Sequence, residues 1–360
     1  MLAVRAHANS LELQLDTIPV PAPGPHDVLI KVASAGIAPG IFNPFLRKFM
    51  SLPTTLGHEV SGTVVSVGGD VLTAAVGDRV RVHANLSCLN CKYCLSDREQ
   101  MCAQAAILGF RGFGDKVPLY ETYHDGGLAE YVKVPHWLVD KLPDNVSFDV
   151  GAKVHDVANA MRTLKCANLE PGSTIIITAP TGGMGTATLK LAQFFPISRI
   201  ILVGRSSERM SAVANLTHVP TEIVALEELG DDWPRTKALV KVLRHLSPEG
   251  VDAILDYMPS GADIWQAMWA LAHGGTIVHM GGNPSLFPIP VVVIMTNCWR
   301  IVGTRGCTRS DTNKILEWLG DGRLQLDELI THKFELKDTL VAVSKLQARS
   351  LPIWMGVIHP

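Results

Sequence analysis

Four cysteines stand close together as Cys88-x2-Cys91-x2-Cys94-x7-Cys102. Thiolate is a soft ligand, and four such groups within fifteen residues can close a tetrahedron around one zinc ion. That set leaves no coordination position open, so the ion would be structural and not catalytic. Asn90, Lys92 and Arg98 stand where they can donate hydrogen bonds or offset thiolate charge. The bland alternative is free thiols or two labile disulfides, which such regular spacing fits less well. Cys166, Cys298 and Cys307 are scattered, and an odd total of seven does not suggest a disulfide framework.

A second group of residues could hold a dinucleotide. The apolar run Thr174 to Thr178 is followed at once by Ala179-Pro180-Thr181-Gly182-Gly183-Met184-Gly185 and then by helix-like spacing from Thr186 to Phe195. A glycine turn between a buried strand and a helix lets backbone approach a pyrophosphate, which the helix N-terminus then attracts. Gly182 and Gly185 fill the second and third places of that fingerprint, and Pro180 stands where the first glycine usually is. The next strand, Ile200 to Val203, decides the nucleotide. An acidic residue about 20 positions after the glycines would bind the ribose hydroxyls of NAD. Here the chain reads Gly204-Arg205-Ser206-Ser207-Glu208-Arg209. Arg205 and Arg209 would attract a 2′-phosphate and the serines could bond to it, so NADP(H) is the expected cofactor. In the competing reading Glu208 holds an NAD ribose and the arginines are solvated.

Two kinds of element must position these residues. Before residue 150, short strands (Val28 to Ala33, Glu59 to Val67, Arg79 to Val82) alternate with glycine and proline, as in an all-β, barrel-like region. Pro19, Pro21, Pro23 and Pro25 suit edge strands and turns. From Val154 to Leu164 the spacing turns helical. Strand-like runs at Ala253 to Leu255 and Thr276 to Met280 follow, with helical segments near 236–246 and 262–273. This predicts an α/β region with a doubly wound parallel sheet. Beyond residue 295 a strand at Arg300 to Gly303, two helical stretches and a terminal strand are expected to return to the first region.

Composition limits the function. The chain has 360 residues, 47% of them hydrophobic and 18% charged, with 32 basic against 34 acidic residues for a net charge of −2. Large cores are affordable, and no basic excess exists to neutralise nucleic-acid phosphates. No apolar run approaches the ~20 residues of a membrane span. Neither a signal peptide nor a retention or lipidation signal is legible, so a cytoplasmic protein without nucleic-acid or membrane partners is expected.

These residues resemble the zinc-containing alcohol dehydrogenases of the medium-chain dehydrogenase/reductase superfamily. The resemblance spans nearly the whole chain: Gly57-His58-Glu59, Val76-Gly77-Asp78-Arg79-Val80, the cysteine lobe, Asp125-Gly126-Gly127-Leu128-Ala129-Glu130-Tyr131, the nucleotide turn and Leu329-Ile330-Thr331-His332. It implies a GroES-like β-barrel catalytic domain over 1–153, with a zinc lobe at about 85–104. A Rossmann NADP(H)-binding domain follows over 154–296, and 297–360 returns to the catalytic domain. Hydride transfer would take place in the cleft. The family also implies a homo-oligomer, dimer or tetramer, formed through the nucleotide domain's sheet edge near 291–303.

The implied catalytic zinc is where the chain departs. Such a zinc is commonly held by two cysteines and a histidine. Ala38 follows Gly36-Ile37 where the first cysteine belongs, Gly40 stands at the relay hydroxyl and Asn43 at the relay histidine. His58 and Glu59 keep the second ligand and its acidic neighbour. His155, followed by Asp156, stands at the third. Two readings stay open. In one, His58, His155 and Glu59 or Asp156 rebuild a catalytic zinc site; in the other that metal is lost and the histidines are hydrogen-bonded remnants.

The leading expectation is an NADPH-dependent reductase of a ketone or aldehyde, or the reverse oxidation. Missing relay groups and the small residues Ala38 and Gly40 suggest a bulky apolar or secondary-metabolite substrate. Phe42, Phe45, Phe49, Trp265 and the segment Leu108 to His124, with Phe110, Phe113, Tyr120 and Tyr123, are candidates to shape its pocket. The first alternative is an enone or enoyl C=C reductase without catalytic zinc, for which Tyr120, Tyr123 or His124 could be weak proton-donor candidates. The second is a non-redox catalyst or binding protein on the same fold.

Overall fold

The computed structural model describes residues 1–114, 117–348 and 350–360, with residues 44–46 described by their backbone alone. The chain divides into one unit made of Met1–Ala158 and Gly306–Pro360 and a second made of Asn159–Arg305.

In the first unit the ten-residue strand Asp27–Gly36 is the hub. Val60–Val67 pairs along it, Tyr131–Pro135 joins at residues 27–31, and the terminal strand Met355–His359 joins at Ala35 and Gly36. Arg79–Val82 and Val139–Lys141 extend the sheet on one side and Ile330–Glu335 on the other. Val28, Ile30, Val60, Val80, Val82 and Val134 are fully buried in one apolar cluster. Each such side chain contributes about 1.5–3 kcal/mol by leaving water.

The strand Ile330–Glu335 was not expected from the sequence. Its residues alternate half-buried and exposed, the mark of a strand at a sheet's edge with one wet face. The helix Phe148–Cys166 runs from the last strand of this region and carries Lys153, His155 and Asp156.

The second unit is a six-stranded parallel sheet. Its order is Thr221–Ala225, Ile197–Gly204, Ser173–Thr178, Val251–Asp256, Leu271–His279, Arg300–Gly303. Ile175, Ile176, Ile177, Ile200, Ile201 and Leu202 are fully buried, as continuous apolar runs must be when helices cover both faces of a sheet. Strand order reverses between Ser173–Thr178 and Val251–Asp256, the point at whose C-terminal side open parallel sheets of this kind bind ligands.

Two elements differ from the periodicity. The helical pattern over 262–273 becomes a 3-10 helix at Asp263–Ala270, and Leu271 already belongs to the next strand. Gly274 and Gly275 disfavour helix there, and parallel pairing with Val251–Asp256 takes over. The helix after the glycine turn begins at Gly183 and ends at Leu191, and Ala192–Phe194 tighten into a 3-10 turn before Pro196. Among the described residues no helix is long and apolar enough to cross a membrane.

The chain re-enters the first unit at a capping box. Thr308 Oγ1 accepts from the Asp311 amide, and Asp311 Oδ2 accepts from the Thr308 amide at 3.0 Å. This starts the helix Arg309–Gly320, which buries Ile315, Leu316, Trp318 and Leu319. Thr308→Ala should lower stability by about 1 kcal/mol in urea unfolding. A change within error would show that the box does not anchor this helix.

Candidate active and cofactor sites

The cysteine lobe hangs beside a small sheet of Asn85–Leu86, Ala106–Ile107 and Arg111–Gly112. Cys91 and Cys94 sulfurs are 3.6 Å apart, those of Cys88 and Cys94 3.9 Å, and all four lie within 4.8 Å of one another. A tetrahedron with zinc–sulfur bonds of ~2.3 Å has edges of about 3.8 Å, so the four thiols fit this ion. The Cys94 amide, then its thiol, pull the Cys91 thiol down to about 6. Burial pushes Cys94 up to about 12. Zinc binding at this set would therefore release protons.

In the second unit the helix Gly183–Leu191 has no side chain capping its N-terminus. Its first amides are thus open to an anion, as pyrophosphate binding requires. Ala179 takes the left-handed conformation, φ +48°, where a glycine is usual in such turns. Gly185 packs so tightly that a Cβ would lie 2.5 Å from the Pro180 carbonyl oxygen. Gly182 is open on that side, its nearest neighbour 3.7 Å away, which leaves room for phosphate. The residues present therefore suit a dinucleotide.

At the end of Ile197–Gly204, Gly204 itself offers no carboxylate; a Cβ there would meet Met210 Sδ, on a flexible side chain, at 2.8 Å. Arg205 is exposed beside the half-buried Ser206 and Ser207. The Ser207 amide donates to Glu227 Oε1 at 2.8 Å in a solvent-exposed contact. Sequence spacing offered no pointer to Glu227, which lies one strand away.

The C-terminal ends of the central strands carry a buried polar set that the sequence reading also passed over. Thr178 Oγ1 donates to Asp256 Oδ1 at 2.5 Å, and His279 Nδ1 lies 2.6 Å from Asp256 Oδ2. The Asn283 amide donates to His279 Nε2 at 3.3 Å. That contact makes Nε2 the acceptor and leaves Nδ1–H to donate to Asp256.

The first unit brings His58, Glu59, His155 and Asp156 into one buried region. The two imidazoles meet edge to face, 4.9 Å between centroids. His155 Nδ1 is 3.9 Å from Cys307 Sγ, and His58 Nδ1 has no hydrogen-bond partner. Burial, ahead of the opposing pull of Asp156, lowers His58 to about 4. Burial likewise holds His155 well below the usual range.

The four do not converge as metal donors. Among the described residues the cysteine lobe is the one group of three or more His, Cys, Asp or Glu donors lying within 4.8 Å of one another. The carboxylates turn to Lys153 instead. Its Nζ lies 2.5 Å from Glu59 Oε2 and 2.8 Å from Asp156 Oδ2. Lys153 was missed in the sequence; its one signal is a lone charge among apolar residues, three before Asp156 on the same helix. Burial opposes its charge, but Asp156 and Glu59 outweigh that and hold the ammonium protonated. Burial, then Asp156, pushes Glu59 up to about 8. The residues present do not fit a zinc ion here.

Several of the aromatic candidates are spent on packing. Tyr120 and Tyr123 are buried in the first unit's core; the Tyr120 hydroxyl donates to the Phe110 carbonyl and the Tyr123 hydroxyl to Asp27 Oδ1. His124 Nδ1 lies 3.2 Å from Thr54 Oγ1. Phe42 is buried in the first unit's core and Trp265 in the second's, while Phe49 is exposed. The Phe45 side chain, Asp115 and Lys116 lie outside the described residues.

Comparison with known proteins agrees with this architecture. Residues 24–144 match the model of the alcohol dehydrogenase GroES-like domain, and 183–321 that of the zinc-binding dehydrogenases. The chain is 27% identical over 358 residues to an NAD-dependent alcohol dehydrogenase of Sulfolobus acidocaldarius, covering 96% of each. It is 26% identical over 332 residues to an L-idonate 5-dehydrogenase of Vitis vinifera, covering 89% of this chain and 84% of the relative. A crystal structure of an NAD-dependent alcohol dehydrogenase superposes with a TM-score of 0.84 at 25% identity over the full length of both chains.

The lobe makes a direct prediction. Cys91→Ser should abolish zinc binding at the lobe and lower the thermal midpoint, read by elemental analysis beside a melting curve. Unchanged zinc content in a folded Cys91→Ser protein would rule out the cysteine site.

Proposed function

This chain belongs to the zinc-containing alcohol dehydrogenase family of the medium-chain dehydrogenases/reductases, and on that premise we propose that it passes hydride between NADP(H) and a ketone or aldehyde. The cofactor assignment rests on one observation. Gly204, pressed against Met210, stands where an NAD-binding carboxylate would be, and the exposed Arg205 follows it. Pyrophosphate would lie on the amides of Gly183, Met184 and Gly185, with Thr181 and Gly182 in the turn before them. Arg205, Ser206, Ser207 and Arg209 would take the 2′-phosphate, where a guanidinium matches phosphate geometry. His279, held by Asp256 at the strand ends, lies where the fold receives the nicotinamide half. A zinc ion on Cys88, Cys91, Cys94 and Cys102 would brace the lobe and take no part in the reaction.

A second reading is conjugated C=C reduction, and Lys153 favours it. With Glu59 and Asp156 engaged by an ammonium, these residues offer no Lewis acid to a simple carbonyl. Hydride addition to an enone spreads the new charge over an enolate, which needs less stabilisation at oxygen. A panel of ketones, aldehydes and enones with NADPH decides between them: an alcohol product supports the first reading, a saturated ketone the second. Turnover of neither overturns both.

The cofactor has its own test. Arg205→Ala should raise KM for NADPH about 10-fold or more, the scale of a lost charge-assisted bond, and leave that for NADH nearly unchanged. A wild-type enzyme that prefers NADH would refute the assignment.

The surface of the second unit supports a homo-oligomer. Arg300–Gly303 is an edge strand with open backbone groups, and Val291, Val292, Met295 and Ile301 beside it are 79%, 58%, 69% and 44% exposed. An uncovered apolar edge of this kind invites a second copy. Val292→Asp with Met295→Asp should convert the oligomer to monomer in light scattering. A monomeric wild type would refute it.

A further inference from the structure

A zinc ion brings two positive charges and holds nitrogen and oxygen donors about 2.0–2.2 Å away. The carboxylates that could serve it in the first unit already hold a cation. Lys153 Nζ sits 2.5 Å from Glu59 Oε2 and 2.8 Å from Asp156 Oδ2. The Lys153 side chain is 1% exposed and that of Glu59 0%. The fold makes room for this contact. A Cβ on Gly36 would come 2.1 Å from Glu59 Oε2 and 2.8 Å from Lys153 Cδ, so a larger residue at 36 would displace the pair. Ala38, two residues on, offers no donor atom.

We propose that the ammonium of Lys153, held between Glu59 and Asp156, replaces the catalytic zinc of this chain's family, and that the protein carries one zinc, at the four cysteines. Three features of different kinds agree on it. The donors of His58, His155, Glu59 and Asp156 do not gather within 4.8 Å of one another. His58 and His155 pack edge to face, and His155 Nδ1 lies 3.9 Å from Cys307 Sγ. The helix Phe148–Cys166 places Lys153 and Asp156 three residues apart, so both reach the same point beside Glu59. Lys153 touches no reacting atom in this arrangement. It is a positioning residue that keeps two buried carboxyl groups in place without a metal. The proposal rests on the reading of the chain as a hydride-transferring member of the family, since that membership is what leads one to expect a second zinc.

The test is metal content together with charge-balanced unfolding. Full-length protein is produced with zinc in the medium, desalted without chelator, and its zinc counted per chain for wild type and His58→Ala. One zinc in both is expected. Two in the wild type, falling to one in a folded His58→Ala protein, overturns the proposal. In parallel, Lys153→Met should lower the thermal midpoint by about 10 °C or fail to fold, because the buried Glu59–Asp156 pair loses the cation between them. Adding Glu59→Gln and Asp156→Asn to that variant should recover at least half of the loss. A Lys153→Met protein as stable as wild type overturns the proposal, and so does failure of the two neutralising changes to rescue it. Neither readout depends on cofactor or substrate. Failure to oxidise NADPH would therefore sink the functional reading and leave this one standing.

Discussion

Glu59 and Asp156 carry acidic groups into the interior of the first unit, and buried carboxylates need a countercharge or a proton to stay there. Much of that region is arranged around this need. Asp27–Gly36 ends in the glycine that lets Glu59 and Lys153 meet. The helix Phe148–Cys166 starts early enough to place Lys153 on its inner face, one turn from Asp156. Close by, Arg81 is fully buried and bonds to Asp140, which also takes Arg309. The unit thus balances charge internally, and with Lys153 in place the neighbouring histidines stay neutral. Burial lowers His58, His83 and His155 alike, and nearby cations add to it in each case.

The nucleotide unit obeys a different constraint. A parallel sheet covered on both faces must be apolar along whole strands, so its polar chemistry collects at strand ends. Thr178, Asp256 and His279 close the C-terminal ends of three neighbouring strands, and the glycine turn and Gly204 close the ends of two. Backbone does most of the recognition in such a turn. That explains how Ala179 and Pro180 can occupy places where glycine is usual: Ala179 adopts the positive φ itself, and Pro180 leaves Gly185 as the point of closest approach.

The cysteine lobe needs neither core. Its four ligands come from one short stretch of chain with little regular structure, and an ion would supply the cross-linking that apolar burial supplies elsewhere. Outside it, an uncovered apolar surface of the second unit, Val291, Val292, Met295 and Ile301, lies beside the edge strand Arg300–Gly303, where a sheet has unsatisfied backbone to offer.

The doubly wound sheet, the barrel-like strands, the cysteine lobe and the phosphate turn were legible in the sequence, because each is a local pattern: fixed spacing, short apolar runs, glycine after a strand. The family resemblance, carried by such motifs, grouped His58, Glu59, His155 and Asp156 in one region. It could not say what those side chains do there. That depended on Lys153, whose single charge in an apolar stretch carries no motif, and whose partner Glu59 lies 94 residues away in the chain. Glu227 beside Ser207 and the pairing of Asp256 with His279 were hidden for the same reason, as was the edge strand Ile330–Glu335, whose weak alternation is set by its neighbour Met355–His359. Sequence by itself determined the family, the fold and the chemistry each local motif could hold. Tertiary structure alone decided which charges meet, because electrostatic pairing depends on distance through space and on burial, and neither can be read from distance along the chain.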